Sequence, residues 1–347
     1  MKIIKILVSA LGVTAAVPAW AASCTQMQLD DILAPATAQQ NSVEVACSVV
    51  LPKDRTISKR LYFSGSASSN QVFDCNGNTV APTHITGGDS IVIRSQKQHN
   101  QWQRPENLII RGCKVAGSVR VMGMGSNGEA EAVRQSSLEA GHTERIQAAA
   151  PSRIRLENMN ISGNGRIPLY LAPGVNHVTV ANSRITGSSR SVAVYLDAES
   201  AYNTFTRNTI DAKTSGRELI AIDGSAHNTF SQNRFSALNH GGIYFYRNCG
   251  EGGTIRHQTP SYNTLSQNVF YYHKYKGTLP AVWLGARNGK RNYCEADAGH
   301  AFGSSLDNRD FADFNVVENN QIYRLPVDKM IRNEGSQNRI EGNQTVK

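Results

Sequence analysis

An all-β solenoid is the fold this sequence predicts, and three observations predict it. Near-identical strings recur: NTFTRN (Asn203 to Asn208), NTFSQN (Asn228 to Asn233) and NTLSQN (Asn263 to Asn268), followed by NVVENN (Asn315 to Asn320) and NRIEGN (Asn338 to Asn343) on the same design. The markers Asn158, Asn182, Asn208 and Asn233 recur every 24–26 residues, a period that fits one turn of a solenoid. Within each unit, short runs of alternating β-branched or apolar residues are separated by Asn, Gly and Ser turns, and helical signals are sparse. Leucine-rich repeats share the period, but these units lack their LxxLxL consensus.

The chain begins with Lys2 and Lys5, an apolar run from Ile6 to Val17, and Ala19-Trp20-Ala21. These are the three regions of an export signal, so residues 1–21 are expected to be removed after Ala21 or Ala22. The alternative of acylation at Cys24 would call for Leu where Ala21 stands. Twelve apolar residues cannot span a bilayer as a helix, so no transmembrane segment is expected. Residues 22–60 lack the repeat and are assigned to an N-terminal cap, which would cover the open edge of the first coil. Coils are expected over 61–347, with degenerate copies at NLIIRGCKV (Asn107 to Val115), RIRLENMNI (Arg153 to Ile161) and VTVANSRI (Val178 to Ile185). Two stretches interrupt them, 116–151 and 286–314, and inserts on a solenoid commonly flank a binding face.

Stacked coils place successive strands about 4.8 Å apart, so equivalent residues form ladders. The asparagines suit sharp turns because the short amide tolerates left-handed backbone and bonds its copies above and below. Phe205, Phe230, Leu265 and Val316 are expected to point inward. So is a second column, Leu171, Leu196, Ile222, Phe245, Leu284 and Ile331, taken from the strand before each Asn motif.

On these motifs the chain resembles right-handed parallel β-helix proteins of the pectate-lyase-like superfamily, in their Asn-rich repeat branch. The similarity covers roughly residues 61–347, and FDCNGNTV (Phe73 to Val80) resembles the first coil of many such proteins. The resemblance implies the fold and leaves the chemistry open, because lyases, hydrolases, epimerases, adhesins and maturation factors share it. Neither the paired-aspartate and GHG pattern of polygalacturonases nor the Asp-Pro-His-Asp pattern of bacterial alginate epimerases is present, so no family catalytic residue carries over.

The chain of 347 residues is 40% apolar and 18% charged, enough to bury a sizeable core, and its formal net charge is +9. Loss of Lys2 and Lys5 with the signal would leave it basic. In an exported protein whose positive residues are scattered, nucleic acid is excluded as the partner, and an acidic polysaccharide or glycan is expected. Six cysteines, none in a CxxC pair, predict three disulfides in an oxidising compartment, periplasmic or extracellular. Nearest-neighbour pairing is preferred: Cys24 with Cys47, Cys75 with Cys113, and Cys249 with Cys294. The last two pairs lie in neighbouring coils. A monomer is expected.

The outward neighbours of the second column suggest where chemistry sits. One row reads Tyr170, Tyr195, Ala221, Tyr244, Trp283 and Met330; the next reads Ala172, Asp197, Asp223, Tyr246, Gly285 and Arg332. Aromatic faces beside carboxylates suit sugar rings, although cross-coil aromatic pairs on a solvated sheet would give the same pattern. Asp197 and Asp223 on adjacent coils would lie about 5 Å apart. One reading makes them the acid and nucleophile of a glycoside hydrolase. A second has them bind Ca²⁺ together with Glu199, and a third leaves them as strand-end residues bonding backbone amides. The segment HGGIYFYRNCGEGG (His240 to Gly253) adds His240, Tyr244, Tyr246, Arg247 and Glu251. β-Elimination or C5 epimerisation of a uronic acid needs a base, a carboxylate-neutralising cation and an acid. Tyr246 and His240 would exchange protons while Arg247 or Arg287 neutralises. A lyase or epimerase acting on an anionic glycan is therefore the leading expectation, with a non-catalytic carbohydrate-binding or scaffold protein as its rival.

Overall fold

The computed structural model describes residues 20–248, 250–272, 279–288 and 299–347. The export signal, Cys249, Cys294 and much of the second excursion lie outside them. The chain winds through three long parallel sheets in fixed rotation, of ten, ten and eleven strands among the described residues. One coil shows the path. Val194–Leu196 lies in the first sheet, Thr204–Thr206 in the second and Thr209–Ile210 in the third, before Ile220–Asp223 returns to the first.

The interior is built from ladders. Leu171, Leu196, Ile222, Phe245 and Leu284 are in direct register and wholly buried. Phe205 stacks on Phe230 with centroids 4.7 Å apart and planes 6° apart, and Phe235 meets Phe270 at 5.0 Å. Burial of each such side chain contributes about 1.5–3 kcal/mol, which isolated three-residue strands could not supply by hydrogen bonding alone. Two asparagine ladders close the turns flanking the second sheet. Asn203, Asn228, Asn263 and Asn315 form one, and Asn208, Asn233, Asn268 and Asn320 the other. In each, an amide oxygen accepts from both the backbone N–H and the side-chain Nδ2 of the asparagine one coil earlier, at 2.8–3.0 Å.

Three expected registers are displaced. Val317, not Val316, pairs with Leu265 and points inward, whereas Val316 lies beside Thr264. The two valines are adjacent and equally apolar, so composition could not choose between them. Asn158 and Asn182 are not ladder members. They occupy the left-handed turn position (φ 53° and 51°) that Arg207 and Gln232 hold in later coils, while Ser183 stands level with Asn208. In the last coil Ile331 pairs with Val282 and Asn333 with Leu284, a shift of two, so Arg332 and not Met330 lies beside Trp283.

The coil also starts earlier than expected. Ser42–Glu44, Val49–Val50 and Thr56–Ile57 already enter the first, second and third sheets, so the cap reduces to the helix α1 (Gln26–Leu33) and its flanks. A capping box between Thr25 and Gln28 starts α1, and Ile32 is buried on the first coil. The buried Lys59 ammonium donates to Asp31 Oδ1 at 2.6 Å and to its carbonyl at 2.8 Å, tying the helix down. Cys24–Cys47 and Cys75–Cys113 are disulfides, the second joining adjacent coils. Ser118–Met122 is a strand of the first sheet, so the first excursion begins at Gly123 rather than at 116. It carries α2 (Glu131–Ser137) and α3 (His142–Ala149).

Candidate functional site

The first sheet presents an outward row whose register runs unbroken through nine strands: Tyr62, Val92, Arg120, Tyr170, Tyr195, Ala221, Tyr244, Trp283 and Arg332. Alternation along each strand makes this row face away from the core. Even so, Tyr170 and Tyr244 are buried and Ala221 has no exposure. Ala221 and Tyr244 pack in a cluster with Val192, Ile167, Tyr195, Tyr246, Trp283 and Ala286, while the Arg256 segment and the first excursion, joined at Gly128, roof the Asp197 end of the face.

Asp197, one residue past its strand, and Asp223, the last of the next, are carried under that roof. Both are buried, and each takes a phenol from the preceding coil. Tyr170 Oη donates to Asp197 Oδ2 in a very short contact, and Tyr195 Oη donates to Asp223 Oδ2 at 2.6 Å. Asp197 Oδ1 also accepts the Ala198 N–H at 2.8 Å. Asp223 accepts in addition the backbone N–H and side-chain amide of Asn248, at 2.8 and 2.6 Å. Burial pushes the Asp197 carboxyl up to about 6; the Arg256 guanidinium opposes the shift and the Asp223 charge adds to it. Burial, and then the facing carboxylates, hold the Tyr170 and Tyr195 phenols well above their usual range, so both stay protonated donors.

Arg256 is the buried cation of this layer. It comes from the segment before the second excursion, and its Nη1 donates to the Gly128 carbonyl at 3.3 Å. A Cβ at 128 would lie 2.4 Å from the guanidinium, so a side chain there would have to displace Arg256.

One coil on, a cavity of about 420 Å³ opens over the sheet, lined by Arg217, Glu218, Tyr244, Tyr246 and Arg287 among others. The Tyr246 phenol sits between the first two. It donates to Glu218 Oε1 at 3.0 Å and accepts a very short contact from Arg217 Nη2, which itself reaches Glu218 Oε1 at 2.8 Å. The Arg287 guanidinium lies 3.6 Å from the Tyr246 ring centroid and donates to Asn248 Oδ1. Burial and the Glu218 carboxylate keep the Tyr246 phenol protonated, against the pull of Arg287 and Arg217. A continuous chain of contacts therefore runs from Tyr195 through Asp223 and Asn248 to Arg287 and Tyr246.

Other sequence candidates lie elsewhere. Arg247 is buried, but its Nη2 donates to the carbonyls of Asp307 and Arg309, at 2.5 and 2.8 Å, and it packs against Phe311. It anchors the second excursion. His240 is in the turn entering the Ile243–Tyr246 strand and is not among the cavity-lining residues. Glu251 opens a short 3₁₀ turn, Glu251–Gly253, whose Gly252 packs on Glu129 of the first excursion. Trp283 donates its indole N–H to Glu334 at 3.0 Å and meets Tyr244 edge-on at 5.4 Å. Glu199 is turned away from the two aspartates. Its carboxylate accepts from Thr143 Oγ1 at 2.5 Å and from the His257 and Gln258 amides at 2.8 and 3.1 Å, fastening α3 to the coil. The three carboxylates thus do not form a Ca²⁺ cage, and no cluster of three or more His, Cys, Asp or Glu able to hold a metal occurs among the described residues.

Sequence reasoning missed Arg217, Glu218, Asn248, Arg256 and Asp310. The Arg217–Glu218 pair did carry a signal, being charged residues directly before the wholly apolar LIAI of the next strand. Asp310 carried none, although it pins both loops of the site. Its Oδ1 accepts the Arg247 N–H at 2.9 Å, and its Oδ2 accepts the Arg287 and Asn288 N–H groups at 2.7 and 2.6 Å.

A family model for the right-handed β-helix region matches residues 123–268. No curated protein matches the chain. A solved structure of an alginate lyase from Paenibacillus is similar at 13% identity, over 87% of this chain and 91% of that one, with a TM-score of 0.47. The matched family model and the rotation of the chain through three parallel sheets agree: the repeats form a right-handed parallel β-helix.

Proposed function

We propose that this protein acts outside the cytoplasm, in the periplasm or after secretion, on a uronic-acid-containing polysaccharide by lyase- or epimerase-type proton chemistry. Two disulfides fit an oxidising compartment. The observation that carries the reading is the Tyr246 phenol held between Arg217 and Glu218 with Arg287 stacked on its ring, at the floor of an open cavity.

The proton beside a uronate carboxylate becomes removable when a cation neutralises that carboxylate, and Arg217 and Arg287 are placed to do this. Glu218 is the base in this reading and Tyr246 the acid, since the phenol rests protonated. In elimination, Glu218 takes the C5 proton, the electron pair forms the C4–C5 double bond, the C4–O bond breaks, and Tyr246 protonates the departing oxygen. In epimerisation the same carbanion is reprotonated on its opposite face. Glu218 thus fills the role expected of His240, and Arg217 joins Arg287 in the role offered to Arg247. Asp197 and Asp223 become positioning residues. Their oxygens are engaged by protein donors and buried, which disfavours the glycoside hydrolase reading.

The test is incubation with a panel of polyuronates, following absorbance of the unsaturated product and epimer ratios by NMR. Turnover by the wild type is expected, falling about 10²–10⁴-fold in Tyr246→Phe and Glu218→Gln. No turnover on any acidic glycan by verified folded protein overturns the reading. Saturable binding without reaction would establish the non-catalytic alternative, and saturated products lost in Asp197→Asn the hydrolytic one.

A further inference from the structure

The outward row has a second property, which it shares with the cavity at Arg217. Arginine guanidiniums lie over its aromatic rings at intervals along the helix axis: Arg94 over Tyr62 at 4.1 Å, Arg120 over Tyr170 at 4.4 Å and Arg217 over Tyr195 at 5.6 Å. Beyond the cavity residue Arg287, Arg332 lies over Trp283 at 4.9 Å. The strands bearing these rings, from Arg60–Ser64 to Ile331–Asn333, are nine neighbours of one sheet and span about 38 Å at the strand spacing. Stacking holds a guanidinium flat against the protein and leaves donors at its rim, the geometry that recognises carboxylates in pairs. Arg94 and Arg217 keep a third of their side-chain surface open, at 34% and 32%. Part of each rim is already engaged within the protein: Arg94 gives Nη2 to Glu44 and Nε to Ser64, and Arg217 gives Nη2 to Glu218 and Tyr246 and Nη1 to Ser191, so a polyanion would meet Nη1 of Arg94 and Nε of Arg217.

The cavity does not sit at the middle of this track. It lies over Ile220–Asp223 and Ile243–Tyr246, with only two further strands of the sheet toward the C-terminus and five from Tyr195 back to Tyr62. A coil rise of about 4.8 Å is close to the length of one linked sugar ring, so a linear polyuronate can meet one coil per sugar.

We propose that this face is an asymmetric track for a linear polyanion, with a long arm of subsites over the N-terminal coils ending at Arg94 and Tyr62, and a short arm ending at Trp283 and Arg332. The proposal rests on the cavity being the reacting site only for its product prediction; the binding prediction stands without it. A chain seated this way is cut close to one end, releasing a fragment of two or three units.

Size-defined oligouronates from dimer to dodecamer test both parts by calorimetry. Wild-type affinity is expected to climb with length up to about the octamer and to fall steeply with salt. In Arg94→Gln the octamer binds about three- to five-fold more weakly while the dimer binds as to wild type. Tyr62→Leu repeats that split, so a folding defect in one variant does not decide the matter. Arg207→Gln, which removes a charge from a different face, has no effect on either ligand. Equal weakening of dimer and octamer, or none, overturns the track. End-labelled octamer should yield one short and one long product. Cleavage at the centre overturns the asymmetry, whereas absence of any cleavage bears on the reaction and leaves the length dependence to be judged by itself.

Discussion

Replacing Asn233 by alanine should cost far more stability than its size suggests. The side chain is buried and makes four bonds. Its Oδ1 accepts from Asn208 N at 2.9 Å and from Asn208 Nδ2 at 3.0 Å, while its Nδ2 donates to the Phe205 carbonyl at 2.9 Å and to Asn268 Oδ1 at 3.0 Å. Two of the deprived groups keep another partner: Asn208 Nδ2 still reaches the Val180 carbonyl, and Asn268 Oδ1 still accepts Asn233 N–H. The Asn208 N–H is left unpaired in the interior. One wholly orphaned donor costs about 1–3 kcal/mol, and the three other lost bonds add about 1 each, giving a loss of about 4–6 kcal/mol. Asn343→Ala, at the half-buried last rung, removes comparable bonds where water can replace them and should cost about 1 kcal/mol. Thermal and urea unfolding followed by circular dichroism measures both. Equal, small losses at the two positions would refute the view that the buried asparagine ladder holds the coils in register.

Three further outcomes are expected. Asp197 titrates near 6 when folded against 3.8 when free, so the folded state binds more protons between those values and the group's contribution to stability falls as pH rises through that window. Asp197→Asn should remove that fall, gaining on the order of 2 kcal/mol relative to wild type between pH 4 and pH 7, measured by urea midpoints. His142, held to about 3 mainly by burial and then by His257, acts in the opposite sense: its contribution is present above 6.5 and is lost as pH falls toward 3. Proteolysis within residues 131–149 should therefore accelerate in mild acid, and His142→Gln should abolish the pH dependence. Reducing Cys75–Cys113, which closes a span of 38 residues, should lower stability by about 3–4 kcal/mol, and an unchanged unfolding midpoint after reduction would contradict it.

The parts of this fold legible in the sequence were those that repeat. Side chains stacked every coil obey one rule, so Leu196, Ile222 and Phe245 could be aligned by eye, as could Phe205 and Phe230 and the two disulfides Cys24–Cys47 and Cys75–Cys113. Register failed where the rule was locally degenerate, at Val316 against Val317, and in the terminal coil around Met330. The exposed stack of His177, Tyr202, His227, Tyr262 and Phe314, with centroids 4.7–5.0 Å apart, was also missed. These residues occupy a left-handed turn (φ 55–59°) that sequence rules reserve for glycine or asparagine. Ring stacking offsets the backbone cost, an effect that exists only once the coils are assembled. Of the candidate site, the members on or directly after strands, Tyr170, Tyr195, Asp197, Asp223 and Tyr246, were legible. The loop-borne Arg256 and Asp310 were not, because an excursion's landing place is set by contacts no repeat encodes.

That division has a chemical consequence. Stacked strands alone give an outward face open to water, where two neighbouring aspartates would both ionise and a tyrosine would be an ordinary surface phenol. The excursions change the dielectric over that face without changing the strands. Arg256, arriving across Gly128, supplies the charge that lets Asp197 and Asp223 be buried side by side. Asp310 is bound to the amides that precede the Arg247 and Arg287 side chains, so one carboxylate fixes where the loop after the Tyr246 strand and the loop after the Trp283 strand leave the coil. The β-helix thus provides spacing, one coil per row, and the inserted segments decide which rows are buried and which stay open to water. Chemistry in such a chain should therefore follow the excursions and their anchors, Glu199 and Asp310, more closely than it follows the repeat.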